Sequence, residues 1–200
     1  MSDRENAVIA ALRARRSAGN LKADPIPRVL IEQVIEAATW APNHRLTEPW
    51  RFLVLAGEAR EALGDVMAHS LRKRLSEPDG EPAKAQLEKE RRKPLRAPAL
   101  IAVAALPSKE PRVVESEEIA AVAAAVQNML LAAEALGLGA MWRTGEAASD
   151  PAVKAFLSLP PSAHIVAFVY LGYAEPSPRR PREPAGKRHT VWLGPPADGR

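Results

Sequence analysis

Residues Glu117 to Gly139 read EEIAAVAAAVQNMLLAAEALGLG, and how this stretch is covered decides the rest of the fold. Ala, Leu, Met, Glu and Gln are strong helix formers, and no Pro or Gly intervenes before Gly137, so one helix is expected. At 1.5 Å per residue, Glu117 to Leu136 spans about 30 Å. The apolar residues do not keep to one stripe. Ala120, Ala124 and Leu131 point one way, and Val122, Val126 and Met129 another, so most of the circumference needs cover. Gln127, Asn128 and Glu134 break the run and the chain has no second span, which argues against a membrane. A 200-residue chain covers one or two faces of such a helix. A second copy is the economical cover for the rest, and many small Ala side chains let two backbones approach closely. An intimate homodimer is therefore expected.

Just downstream, Gly137-Leu138-Gly139 begins like a dinucleotide fingerprint. The third glycine is replaced by Trp142, however, and the glycines follow a helix instead of opening one, so a left-handed C-cap at Gly137 or Gly139 is expected. Ala140 to Arg143 then reads as a strand. Upstream, Ala99 to Ala105 is a continuous apolar run, a strand buried on both faces. Arg51 to Leu55 and Ile165 to Leu171 are the other strands. A first helix opens on the S-x-x-E capping box Ser2 to Glu5 and carries the stripe Ala7, Val8, Ala11 and Leu12 as far as Arg15. A second follows Pro25 and Pro27, buries Ile31, Val34, Ile35 and Ala38, and ends at Ala41-Pro42. A third covers Glu58 to Leu75 with Leu63, Val66, Met67 and Leu71 on one side, and Asp150-Pro151 opens a short one. Ser76 to Arg96 is polar, mixed in charge and reads as a mobile connection.

From Ala174 onward Pro176, Pro178, Pro181 and Pro184 impose an extended path that ends in Val191-Trp192-Leu193. The organisation expected is one domain, 1–200, with 174–200 an arm laid over a partner subunit. Four strands separated by helices on their own suggest a parallel, doubly wound sheet, and periodicity does not exclude it.

The bulk numbers narrow the chemistry. A hydrophobic fraction of 46% with 26% charged residues is that of a soluble globular protein. The absence of Cys excludes disulfides, thiol catalysis, iron–sulfur clusters and Cys-based zinc sites. MSDRENAVIA lacks the basic start and apolar middle of a signal peptide, so a cytoplasmic location is expected. Net charge is +4 with a pI of about 9.6, but acids alternate with bases and no nucleic-acid-binding pattern is present. An anionic small molecule is expected as partner, and no nucleic acid. His44, His69, His164 and His189 lack ligand spacing, so no metal site is expected.

Arg15-Arg16-Ser17 admits two readings. Two guanidiniums and a hydroxyl at a helix exit, just before Gly19, can converge on a phosphate through charge-assisted hydrogen bonds of about 1.5–3 kcal/mol each. The arginines can equally complement the helix dipole, worth less than about 1 kcal/mol. Trp142-Arg143-Thr144-Gly145 can line a flat aromatic ligand or cap the core. Asn43-His44-Arg45 is a polar loop or a simple turn.

Taken in order, these pieces resemble the nitroreductase family of flavoenzymes. The matching blocks are RRS after the first helix, APNHRLTEPWRFLVL at Ala41 to Leu55, RAP at Arg96 to Pro98, and AAEALGLGAMWRTG at Ala132 to Gly145. The similarity covers about residues 8 to 175 and looks closest to a short bacterial branch. It implies an α+β fold with a mostly antiparallel sheet flanked by helices. It also implies a homodimer with FMN at the subunit interface and a C-terminal arm crossing to the partner. Carried over, Arg15, Arg16 and Ser17 hold the FMN phosphate and ribityl chain. Trp40 and His44 reach the flavin from the other subunit, and Trp142, Arg143 and Thr144 lie beside the isoalloxazine and phosphate. Lys187 or Arg188 supplies a further phosphate contact. The implied activity passes a hydride from NADH or NADPH through flavin N5 to a small-molecule acceptor, a nitroaromatic, quinone or similar compound, by a ping-pong mechanism. FMN carries that chemistry, so no catalytic side chain is required.

Three positions depart from the family pattern. Gly19 stands where many members have a basic residue near flavin N1 and O2, Leu46 replaces an Asn, and Glu48 replaces a Gln. Arg16 and Arg143 are the candidate replacements for the missing cation. The departures motivate an alternative reading, a flavin carrier or sensor without general reductase turnover.

Overall fold

In the computed structural model, which describes residues 6–176 and 183–194, the Glu117–Gly139 stretch lies mostly within one helix, α5, Glu115–Ala135. It ends as expected. Gly137 adopts φ +74°, Leu138 N–H donates to Ala133 O at 2.8 Å and Gly137 N–H to Glu134 O at 3.1 Å. This is the paired closure of a Schellman motif, which satisfies carbonyls the helix itself leaves open.

The other elements, in chain order, are α1 (Ala7–Ala14), α2 (Arg28–Thr39), β1 (Trp50–Ala56), α3 (Glu58–Arg72), α4 (Glu81–Arg91) and β2 (Ala99–Ala105), all before α5. After it come β3 (Gly139–Arg143), α6 (Pro151–Phe156) and β4 (His164–Gly172). The four strands form one sheet in the order β1-β2-β4-β3, and every neighbouring pair is antiparallel. The fold is thus the α+β arrangement, and the parallel, doubly wound alternative is wrong. Helices alternating with strands fixed their spacing along the chain but not their direction in the sheet.

β2 sits in the middle of the sheet, and all its residues are buried. Its pleat sends Ile101 and Val103 to one face, where α2 and α5 pack through Ile31, Val34, Val122, Val126 and Met129. Leu100, Ala102 and Ala104 point to the other face, toward Leu63 and Met67 of α3 and Val153 of α6. α5 is the one described helix long and apolar enough to cross a membrane, and its apolar side packs inside this fold. Ala120, Ala123, Ala124, Gln127 and Leu131 on its outer side remain half-covered or exposed.

Several sequence expectations need correction. The stretch read as mobile contains α4 and a short 3-10 turn, Lys93–Arg96. Its helix formers are held by closely spaced ion pairs, Lys84 with Glu81, and Arg91 and Arg92 with Glu88, while Ala83 alone of its residues is buried. Hence no apolar periodicity betrays it. α3 ends at Arg72, short of Leu75, and Ile35 and Val66 are only partly buried. The capping box Ser2 to Glu5 lies outside the described residues; the observed N-cap of α1 is Asn6, whose Oδ1 accepts from Val8 N–H at 2.9 Å. The stripe on α1 is not buried, with Val8 and Leu12 exposed. Pro178 and Pro181 also lie outside the described residues.

Candidate functional site

After α1, Arg15 to Lys22 runs along the edge of the sheet. Ser17 bridges Ala140 in parallel, Ala18 N–H donates to Ala140 O at 3.0 Å, and Lys22 N–H donates to Tyr173 O at 2.8 Å. Gly139 makes this approach possible, because a Cβ there would come within 2.8 Å of the Ala18 and Leu21 side chains. The helix exit is thereby clamped to the start of β3, whose far end carries Trp142 and Arg143.

Two adjoining hollows follow from that clamp. One, of about 490 Å³, is bounded by Gly19, Asn20, Leu21, Glu175, Arg96 and Arg143. The second, of about 290 Å³, shares Arg96 and Arg143 and continues past Thr144, Gly145, Glu90 and Lys93 to a floor of Leu100, Phe168 and Tyr170. Gly145 adopts φ +91°, where a side chain is strained, so its peptide stays bare at the cavity wall. The Arg143 guanidinium stands 5.8 Å from the Tyr170 ring centroid, a cation–π distance. Burial pushes the Tyr170 phenol above its ordinary value of 10.0, outweighing the opposing pull of Arg143 and Arg96.

The site residues expected from sequence fall into two groups. Arg16 and Ser17 share a third hollow, of about 520 Å³, with Lys22, Glu134 and Gly137. The Arg16 Nη1 donates to the carbonyls of Arg13 and Arg15, so this arginine does complement the end of α1. Arg15 makes no side-chain hydrogen bond or ion pair among the described residues and is half-buried. Trp142 Nε1–H donates to Val166 O at 3.0 Å, which fixes the indole against β4, and the alternation of β3 turns it to the face opposite Arg143. Of the two candidate replacements for a cation at Gly19, Arg143 lines the same hollow and Arg16 does not.

Trp40 and His44 belong elsewhere. Trp40 ends α2 and is 80% exposed. His44 Nδ1 lies 2.9 Å from Glu117 Oε2, at the first turn of α5, whereas Ser17 lies by Gly137 just past its last turn. These positions are about 30 Å apart along the helix. The loop carrying His44 is strained: Arg45, Leu46 and Glu48 all have positive φ, and Leu46 is 82% exposed. Lys187 and Arg188 lie exposed on the 3-10 turn Gly186–His189. Just before it, Pro184 and Ala185 share a hollow with Leu12 and Arg13 of the same chain. Beyond it, Val191, Trp192 and Leu193 are exposed.

Sequence reasoning missed Glu90 and Lys93 and gave Arg96 no role. The signal was present as two opposite charges three residues apart, but in a stretch read as mobile.

A model of the nitroreductase family matches residues 12–173. YfhC of Bacillus subtilis is 32% identical over 181 residues, 90% of this chain and 91% of that protein. YdjA of Escherichia coli is 34% identical over 159 residues, 79% of this chain and 83% of that protein. Both bear the name "putative NAD(P)H nitroreductase". Among solved structures, a nitroreductase-like family protein from Bacillus cereus superposes with a TM-score of 0.78 at 26% identity, covering 97% of this chain and 100% of that one. A structure from Desulfovibrio desulfuricans in complex with FMN superposes at 0.71 and 26% identity, covering 96% and 98%.

Proposed function

This chain belongs to the nitroreductase family, and from that premise we propose that it is an FMN-dependent NAD(P)H oxidoreductase whose flavin sites are completed across a homodimer. The observation that carries the reading is the clamp between the Ser17 segment and β3, which sets Gly19, Arg96 and Arg143 around one continuous hollow. The donor set of this hollow and of the two that share Arg96, Arg143 or Glu175 with it fits FMN. Lys93, Arg96 and Arg143 offer positive charge, Ser17 and Thr144 offer hydroxyls, and Gly145 leaves its peptide bare. The FMN complex of the relative from Desulfovibrio desulfuricans and the names of YfhC and YdjA support the same cofactor and donor.

The homodimer rests on the separation along α5. A two-fold axis crossing the middle of α5 sets the first turn of one copy beside the last turn of the other. Trp40 and His44 of one subunit then face the Arg15–Ser17 segment of the next, and the half-covered side of α5 meets its own copy. Ala174 and Glu175 stay on their own sheet edge, and it is the exposed cluster Val191, Trp192 and Leu193 of the arm that reaches an apolar surface of the partner.

When bound, FMN supplies the redox chemistry, taking a hydride from NADH or NADPH and yielding it to a nitroaromatic, quinone or similar acceptor. The side chains bind and orient. Arg15 and Ser17 grip the phosphate and ribityl chain, with Lys187 or Arg188 adding a cation from the arm. Arg143 takes the place of the basic residue missing at Gly19, and Thr144 lies beside the ring. Trp40 and His44 shape the opening and exclude water. Because donor and acceptor occupy one opening in turn, kinetics are ping-pong, and initial-rate plots at varied acceptor are expected to be parallel. The test is anaerobic mixing with NADH and with NADPH. Bleaching of the flavin by either within seconds supports the reductase; no bleaching by either would favour a carrier or sensor.

A further inference from the structure

We infer that Glu90 sets the reducing power of the bound flavin by holding the Lys93 ammonium in a contact ion pair on the cavity wall. The inference rests on the reading of that cavity as the flavin site.

Lys93 Nζ and Glu90 Oε2 are 2.5 Å apart, and both residues line the cavity that contains Arg143, Thr144 and Gly145. The Glu90 side chain is only 18% exposed, whereas the carboxylates paired with Arg72, Arg74 and Lys84 are 77–86% exposed. A shielded charge is screened less by water and acts more strongly on its neighbours. The other carboxylate on this wall, Glu146, is turned to Arg74 at 2.6 Å. Of the two acids on this wall, Glu90 is therefore the one that offsets Lys93, while Glu175 faces Arg96 and Arg143 from the adjoining hollow.

Its position is built into the packing. Gly64 of α3 lies so close to α4 that an added Cβ would stand 2.1 Å from Arg91 O. Arg91 Nε pairs with Asp65 at 2.7 Å, and Arg60 of α3 donates to Ala97 O just past the 3-10 turn. Both ends of the segment carrying Glu90 and Lys93 are thus fixed to α3.

Hydride transfer brings two electrons and one proton to the isoalloxazine, leaves oxidised NAD(P)⁺, and makes the flavin one negative charge richer. A free ammonium nearby would favour the reduced form. One held by Glu90 favours it less, so the flavin stays the stronger reductant.

The test is the midpoint potential of bound FMN, measured by anaerobic dye equilibration on wild type, Glu90→Gln, Lys93→Gln and the double variant. Glu90→Gln is expected to favour reduced over oxidised flavin by about tenfold, an upward shift of about 30 mV for a two-electron couple. Lys93→Gln, which leaves Glu90 uncompensated, is expected to shift it downward. In the Lys93→Gln background, where the carboxylate acts without its counter-ion, Glu90→Gln should raise the potential again by at least its shift in the wild-type background. With FMN bound, an unchanged or lowered potential in Glu90→Gln overturns the inference. Should that variant fail to fold, the absence of a downward shift in Lys93→Gln overturns it equally. Wild-type protein that takes up no FMN would instead refute the flavin site itself.

Discussion

Replacing Gly64 with Ala tests the one helix that sequence reasoning missed. The new methyl carbon would lie 2.1 Å from Arg91 O and 3.0 Å from its carbonyl carbon, where ordinary contact begins at 3.4 Å. The obstacle is backbone of α4, so no side-chain rotation relieves it, and α4 must retreat by more than an ångström. Overpacking of this kind costs about 1–3 kcal/mol. For a domain of this size, each kcal/mol lowers the melting temperature by about 2–4 °C, giving a loss of about 2–12 °C by calorimetry. Retreat of α4 also moves Glu90 and Lys93 off the cavity wall, so FMN affinity is expected to fall with stability. Gly80→Ala is the control: a Cβ there meets nothing closer than 3.8 Å, and the change at the helix start should cost under about 1 kcal/mol. A Gly64→Ala protein that melts within 1 °C of wild type and binds FMN normally would refute the packing of α4 on α3.

Arg15→Ala is expected to weaken FMN binding by about tenfold to a hundredfold, the loss of one charge-assisted contact of about 1.5–3 kcal/mol, while the dimer stays folded. Flavin titration by fluorescence quenching measures it, and full affinity would remove Arg15 from the site. Trp142→Phe forfeits the Nε1–H bond to Val166 O and should lower stability in urea by about 0.5–1.5 kcal/mol, leaving the midpoint unmoved only if that bond is idle. Tyr170 gives a signed pH dependence. Its folded-state value lies above the unfolded 10.0, so its contribution is fully present below pH 10 and is lost as pH rises through the raised value. Tyr170→Phe should flatten that alkaline limb, and an unaltered limb would assign it to other groups.

What was legible in the sequence was whatever depends on a dense local pattern. The buried run Ala99 to Ala105, the helix through Met129 and its cap at Gly137 were all read within a few residues of their observed bounds. Strand direction was not legible from spacing, because an antiparallel sheet with helical crossovers and a parallel one share the same alternation. The resemblance supplied that step. α4 escaped because its hold comes from Gly64 and from ion pairs, which leave no apolar period. Of Arg15-Arg16-Ser17, Arg16 turns back onto α1 as the dipole reading expects, whereas Arg15 makes no such bond among the described residues. That Trp40 and His44 stand at the opposite end of α5 from Ser17 required coordinates, because sequence order carries no three-dimensional distance.

The central claim, that two copies of this chain complete each FMN site, is tested most directly by the mass of the coloured species. Light scattering coupled to chromatography, recorded with flavin absorbance, should give twice the chain mass of 21.6 kDa and two FMN per particle. A particle of 21.6 kDa that carries a full complement of FMN would contradict it.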